Sequence, residues 1–471
     1  MTDPAPIEPA PTEPAPTDPT PTDPGSTPAR LHPLTPLLRG GAFLVVVVAY
    51  LGRDQLQHPG HDLGRFGLVV LAVAVLGAGY GTVSWYFTWY RVGNDALRVD
   101  TGPIVRRQRV IRYDRLQAVD VAQPLLARLF GLADLRMDVA GGSRTEGRLG
   151  YLTLADARAL RARLLAQAAG LHAATPSAPE HTLLGVPTRR VLGSTMISTP
   201  VVGALLGVAA TLAVTIWTQT PIGLVVLIPI ALGAITPIVR NVLNLGNFRV
   251  ARSPDGLRVH HGLAGITHQT LPPGRVQGLV VKQSLLWRLL GWYRVEVDVA
   301  GMGSQDQQGF AATVVLPVGD RGDVTRVVEA LFGIGDPLAV PLARAPRRAH
   351  WLRPIGARFL GWGCDEVVFV AARGWLVRAV SVVPHAKTQS VRVRQGPLAR
   401  LLRLATVSVQ TPAGPVDAQA LHRDPDEARA LVAGQIERAH RMRARAPGDR
   451  WMLSTGGDVG PPERRADAPA G

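Results

Sequence analysis

Arg115–Leu129 reads RLQAVDVAQPLLARL, and the same frame returns as RVQGLVVKQSLLWRL over Arg275–Leu289 and KTQSVRVRQGPLARL over Lys387–Leu401. In each copy a basic residue is followed by Gln two and eight residues on and by Arg thirteen on. The sets are Arg115, Gln117, Gln123 and Arg128; Arg275, Gln277, Gln283 and Arg288; Lys387, Gln389, Gln395 and Arg400. Thirteen residues upstream of each basic residue stands a glycine, Gly102, Gly262 or Gly374. An apolar, β-rich stretch follows each copy, at DLRMDVAGG, YRVEVDVAG and ATVSVQTPAG. Repeats set the architecture before any local assignment does, so the chain reads as three copies of one domain.

Length and composition agree. The 471 residues leave room for several domains. The formal net charge of +16 comes from arginine and suggests a polyanionic neighbour, nucleic acid or an anionic membrane face. A single cysteine, Cys364, excludes a disulfide framework and reads as a small apolar residue.

In chain order, residues 1–35 form a Pro-rich tail with acids at Asp3, Glu8, Glu13, Asp18 and Asp23, a composition that does not fold and lacks the pattern of a signal peptide. Two apolar runs follow, AFLVVVVAYL and FGLVVLAVAVLGAGYGTVSWYFTWY, read as a transmembrane hairpin over 36–90 with an aromatic belt at Tyr80, Trp85, Tyr86, Trp89 and Tyr90. A second hairpin is expected over 193–245, its runs separated by the uncharged TQTP. Arg189, Arg190, Arg240, Arg249 and Arg252 flank it, and the positive-inside rule puts them in the cytoplasm with both termini. The expected location is the inner (plasma) membrane, crossed several times.

Repeats are expected over 91–170, 246–335 and 363–445, with linkers at 171–192 and 336–362 and a tail at 446–471. Each combines short alternating strands with a closing amphipathic helix, LADARALRARLLAQAAG, RGDVTRVVEALFG or DPDEARALVAGQIERAHRMRARA. The fold class is therefore a membrane α + β protein with three small antiparallel sandwiches or barrels. Alternation places Gln117, Gln123 and their counterparts on the core side at strand ends, where a buried amide satisfies loop backbone. The opposite face, Asp120 and Ala122, Val280 and Lys282, Arg392 and Arg394, varies in charge and is expected to be wet. Arg128, Arg288 and Arg400 either snorkel over a short helix or point to a membrane surface.

The frame G-x12-[RK]-x-Q-x5-Q-x4-R, beside transmembrane pairs, resembles the bacterial PH-like membrane proteins of the YdbS/YdbT type. VVPHAKTQSVRVRQGPLARLLRLATVSVQTPAG carries that resemblance best, and Arg403 in the third copy stands where the others have glycine. The resemblance implies a PH-like fold on the cytoplasmic face, a bent seven-stranded sheet capped by a C-terminal helix, and a role in envelope integrity or stress resistance. It implies no reaction.

No GxGxxG before a helix, Walker loop or CxxC occurs, so neither an enzyme nor a cofactor is expected. His260, His261 and His268 form the one histidine cluster, read as solvated rather than metal-binding. Asp138 and Asp298 recur in DVAG without an identified carboxylate partner. The arginines form no compact stripe with aromatics, which excludes nucleic acid. Two classes remain. The favoured one is a scaffold at the inner leaflet, with Arg128, Arg288, Arg400, Arg392 and Arg394 as candidate contacts to anionic lipid headgroups or a protein partner. The alternative is a component of a transport or export system, disfavoured because no charge lies well inside the apolar runs.

Overall fold

A computed structural model describes residues 29–35, 63–93, 95–102, 106–139, 148–168, 181–219, 222–253, 256–263, 265–271, 273–300, 314–412 and 414–445. The Pro-rich tail to residue 28, the first apolar run and the C-terminal tail lie outside the described residues.

The first repeat opens with β1 (Ala29–Arg30), the apolar helix α1 (Leu63–Tyr86), β2 (Trp89–Val92), β3 (Ala96–Thr101) and β4 (Arg107–Arg112), whose strands form a four-stranded sheet in that order. A 3-10 turn at Tyr113–Arg115 leads into β5 (Leu116–Gln123), α2 (Leu125–Leu129), β6 (Leu132–Val139), β7 (Arg148–Thr153) and the closing helix α3 (Leu154–Ala168).

The second repeat has the same order. It comprises β8 (His181–Val186), α4 (Thr188–Met196), α5 (Thr199–Thr218), α6 (Ile222–Leu245), β9 (Phe248–Ser253), β10 (Gly256–His261) and β11 (Ile266–Leu271), then β12 (Val276–Ser284), α7 (Leu285–Leu290), β13 (Tyr293–Val299), β14 (Val314–Gly319) and α8 (Arg321–Phe332). Asp320 and Asp323 cap α8 reciprocally, each carboxylate accepting from the other's backbone N–H. The third repeat comprises β15 (Ala343–Arg344), two 3-10 turns, β16 (Gly361–Cys364), β17 (Val368–Arg373) and β18 (Val377–Pro384), then β19 (Ser390–Arg394), α9 (Pro397–Leu401), β20 (Ala405–Gln410), β21 (Ala418–Arg423) and α10 (Pro425–Arg445).

Two features differ from the sequence expectation. The apolar helices do not precede the repeats; they interrupt them. β1 pairs with β2 across the first apolar segment, Ala29 opposite Tyr90, and β8 pairs with β9 across α4 to α6, Val186 opposite Phe248. In the third repeat the same place, between β15 and β16, holds the turns Arg347–Trp351 and Ala357–Phe359. Helices α1 and α5 are long and apolar enough to span a bilayer, and α6 runs on through Pro229 and Pro237 beside α5.

The second difference is that the sheets ignore the repeat boundaries. β5 to β7 of the first repeat continue through β11 into β8 to β10 of the second, one seven-stranded sheet in the order β7-β6-β5-β11-β10-β9-β8. β12 to β14 likewise join β15 to β18 of the third, in the order β14-β13-β12-β18-β17-β16-β15. Among the described strands, β1 to β4 and β19 to β21 stay within their own repeats, as a four-stranded and a three-stranded sheet. This corrects the expected wet face. β12 is an interior strand, so Val280 is buried in the core of the third repeat with Phe369 and Val383, and Ala122 on β5 is 3% exposed. Arg392 and Arg394 on β19 are exposed, because no further sheet covers that strand.

Candidate functional site

The recurrent glycine and the recurrent arginine meet at the repeat boundaries. Gly102, Gly262 and Gly374 all have positive φ, at 107°, 110° and 87°. A Cβ on Gly262 would stand 1.8 Å from the Gly265 carbonyl oxygen, and one on Gly374 2.0 Å from that of Val377, so only glycine makes this turn. The carbonyl just past the turn glycine then faces the preceding repeat. Arg128 Nη1 on α2 donates to the Leu263 oxygen at 2.8 Å, and Arg288 Nη2 on α7 donates to the Trp375 oxygen at 2.5 Å. Arg288 also lies over the Phe359 ring, 5.6 Å from its centroid, and burial and neighbouring Arg378 lower its pKa.

Arg400 on α9 holds the third copy of this position with no repeat after it. It is exposed, and its guanidinium has no hydrogen-bond or ion-pair partner among the described residues. The Leu263 turn also touches α6, since Leu263 N–H donates to the Leu243 oxygen at 2.8 Å. Trp287 Nε1 donates to the Ser194 oxygen at 3.0 Å, tying α7 to the base of the second apolar pair.

The glutamines divide. Gln123 is 5% exposed and its Nε2 donates to the Leu132 oxygen at 3.1 Å. Gln277 Nε2 donates to the Arg275 oxygen at 3.2 Å, and Gln283 is buried. Gln389 is exposed and Gln395 half-buried; the side chains of Gln117 and Asp138 lie outside the described residues. Of the leading basic residues, Arg275 donates to the Ala300 oxygen at 2.6 Å within its own repeat, whereas Lys387 Nζ reaches back to the Gly274 oxygen at 2.8 Å in the second. Arg115 is exposed.

Asp298 is a boundary residue too. At 2% exposure, its carboxylate accepts from Val416 N–H and Thr411 Oγ1 of the third repeat, both at 3.1 Å. Burial pushes its pKa up to about 6 against the relief of those two bonds. The Glu296 carboxylate adds to that rise, and among the described residues no hydrogen bond joins the two carboxylates. Glu296 itself accepts from Lys282 Nζ at 2.6 Å and forms an ion pair with Arg294, whose Nε lies 2.8 Å away, and the two cations hold it below the usual range despite burial. At the first boundary Arg161 on α3 donates to the Val119 oxygen and to Thr270 Oγ1 of the next repeat, both at 2.9 Å. Nothing in the sequence of α3 marks Arg161 as a boundary residue. Asp298 carried a signal in the recurring DVAG.

His260 and His268 face each other across β10 and β11, ring centroids 4.6 Å apart, with their Nδ1 atoms in contact. His261 turns to the other face, stacks 5.8 Å from Phe248 and contacts the Asn244 oxygen through Nδ1; burial lowers its pKa. Among the described residues no group of three His, Cys, Asp or Glu could hold a metal. Cys364 is a half-buried free thiol.

The family model for the bacterial PH domain matches residues 42–168, 191–333 and 338–440. The chain is also 21% identical over 360 residues to the UPF0699 transmembrane protein YdbT of Bacillus subtilis, covering 69% of this chain and 73% of that one. No solved structure matches.

Proposed function

Because the chain belongs to the bacterial PH domain family, we propose that it is a non-enzymatic, membrane-anchored scaffold that holds three PH-like domains against the inner leaflet. The apolar segments are read as two hairpins with cytoplasmic termini. One observation carries the reading: all three repeats take their insertion at the same place, between the first and second strands of the leading sheet. The first two insertions hold the helices apolar enough to span a bilayer. The third holds a short turn with Trp351 82% and Ile355 55% exposed, flanked by exposed Arg347, Arg353 and Arg358.

The junction from first to second repeat has the same strand pairing as that from second to third. A relation that leaves the first two insertions in one bilayer therefore brings the third towards it. Exposed tryptophan among arginines suits the headgroup region, where the ring sits at the interface and each cation contributes about 1 kcal/mol with anionic lipid. Arg392, Arg394 and Arg400 add basic surface for a lipid or protein partner, whereas Arg128 and Arg288 spend hydrogen bonds on the repeat boundaries.

The test is an environment-sensitive fluorophore on Trp351→Cys, in a Cys364→Ser background, with the full chain reconstituted in vesicles with and without anionic lipid. The expected result is a blue-shifted emission that needs anionic lipid and is shielded from an aqueous quencher. The reading fails if the label is quenched as fast as one at Arg429→Cys on the exposed face of α10.

A further inference from the structure

The two ends of the strand-sharing array are unequal to its internal junctions. Each junction is built by the first strand after the signature turn, β5 or β12, pairing antiparallel with the last leading strand of the next repeat, β11 or β18. β19 is the third strand of this kind and forms an outer edge of its sheet. α9 presents Arg400 beside it, in the place from which Arg128 and Arg288 reach the next repeat's turn. An edge strand and a latch residue, both used twice inside the chain, are thus present a third time and have no occupant among the described residues.

Charge says what would fill the position. Carried over from the second junction, where Leu279 faces Val382 and Lys282 faces Ala379, the register would set Val391 opposite position 110 and Arg394 opposite position 107 of an incoming leading sheet. The chain's own free leading strand is β4, and its Val110, 55% exposed, matches Val382, which is fully buried at the internal junction. Yet β4 would put Arg109 against Arg392 and Arg107 against Arg394, where the internal junction has Ser381 against Val280 and Ala379 against Lys282. Like charges directly opposite across a strand pair are destabilising, and arginine on a free edge opposes pairing with copies of itself. Within their own sheet Arg392 and Arg394 face only Ser408 and Thr406.

We propose that β19 is the docking edge for a PH-like leading sheet of another polypeptide, one with carboxylates where this chain's β4 carries Arg107 and Arg109. The partner adds its last leading strand to β19 through backbone hydrogen bonds, its side chains neutralise Arg392 and Arg394, and Arg400 donates to the carbonyl after its turn glycine. The proposal rests on the scaffold reading and names the partner's chemistry.

The test uses the full chain as its own probe. A Val393→Cys copy and a copy carrying Gln108→Cys with Arg107→Glu and Arg109→Glu, both with Cys364→Ser, are reconstituted together in vesicles and mildly oxidised. Turning two repulsive pairs into attractive ones is expected to raise the disulfide-linked dimer about tenfold over the copy that keeps Arg107 and Arg109, and Arg400→Met on the Val393→Cys copy lowers it. The reciprocal swap, Arg392→Glu with Arg394→Glu against native β4, gives the same rise without altering the first sheet. No rise in either arrangement overturns the proposal. Equally efficient linking of copies with native charges overturns it too, and makes a second copy the occupant. Either result leaves the Trp351 measurement untouched, so failure here is distinct from failure of membrane scaffolding.

Discussion

The Asp298 carboxylate accepts the Val416 N–H at 3.1 Å and so clamps β13 of the second repeat to a loop of the third. A pH dependence follows. Burial lifts its pKa from 3.8 to about 6, so the folded chain keeps this proton to a higher pH than the unfolded chain does. The associated stability is fully present below about pH 4 and is lost as the pH rises through 6. Asp298→Asn holds the neutral form, so its melting temperature relative to the wild type should climb between pH 4.5 and 7.5. A difference that falls over that range in matched thermal unfolding curves would contradict this.

Arg288 and Arg400 share a motif position but not an environment. Replacing Arg288 by Met removes a charged donor from the Trp375 carbonyl and should cost about 1–3 kcal/mol. Hydrogen exchange should accelerate in the turn at 374–377. Arg400→Met, with no partner to lose among the described residues, should change stability by less than about 0.5 kcal/mol. Equal losses in the two variants would mean that the boundary latch contributes nothing.

Arg403 ends α9 with φ at 49°, where Gly131 and Gly291 end α2 and α7 at 67° and 63°. A side chain in this left-handed region is strained, so Arg403→Gly should raise stability in the third repeat, by up to about 1 kcal/mol after the entropy that glycine returns to the unfolded chain. Denaturant unfolding of the full chain would read this as a later final transition, and an earlier one would refute it.

Gly374→Ala should do the opposite. Its Cβ would meet the Val377 carbonyl oxygen at 2.0 Å, so the β17–β18 turn must open, and a loss above about 2 kcal/mol is expected. Gly396→Ala, with nothing within 4 Å, is the control and should be nearly silent.

Much of this was legible in the sequence. The spacing of Gly374, Lys387 and Arg400 marked a repeat, and the alternation around Val391 and Val393 marked its strand. The strand sharing was not legible, because periodicity reports which face of a strand is covered and says nothing of its edges. Asp120 and Arg392 occupy one motif position, yet the first accepts from Thr270 N–H across a boundary and the side chain of the second has no partner among the described residues. Nor could the insertion of the apolar pairs be read. Ala29 and Tyr90 are neighbours in a sheet on opposite sides of the first apolar segment, and the strand that joins them is two residues long. The sequence pattern leaves the recurrent arginine open between snorkelling and membrane contact, since its acceptor is a main-chain carbonyl, which no side-chain pattern encodes.

The seven-stranded sheets put the unit of duplication and the unit of folding out of phase. Cutting the chain in the expected linker, 171–192, would strand β5 without β11 and leave a raw edge on both fragments. A domain in this chain is therefore not something that can be excised and studied by itself. The middle repeat in particular contributes four strands to one sheet and three to another, so its loss would dismantle both neighbours at once.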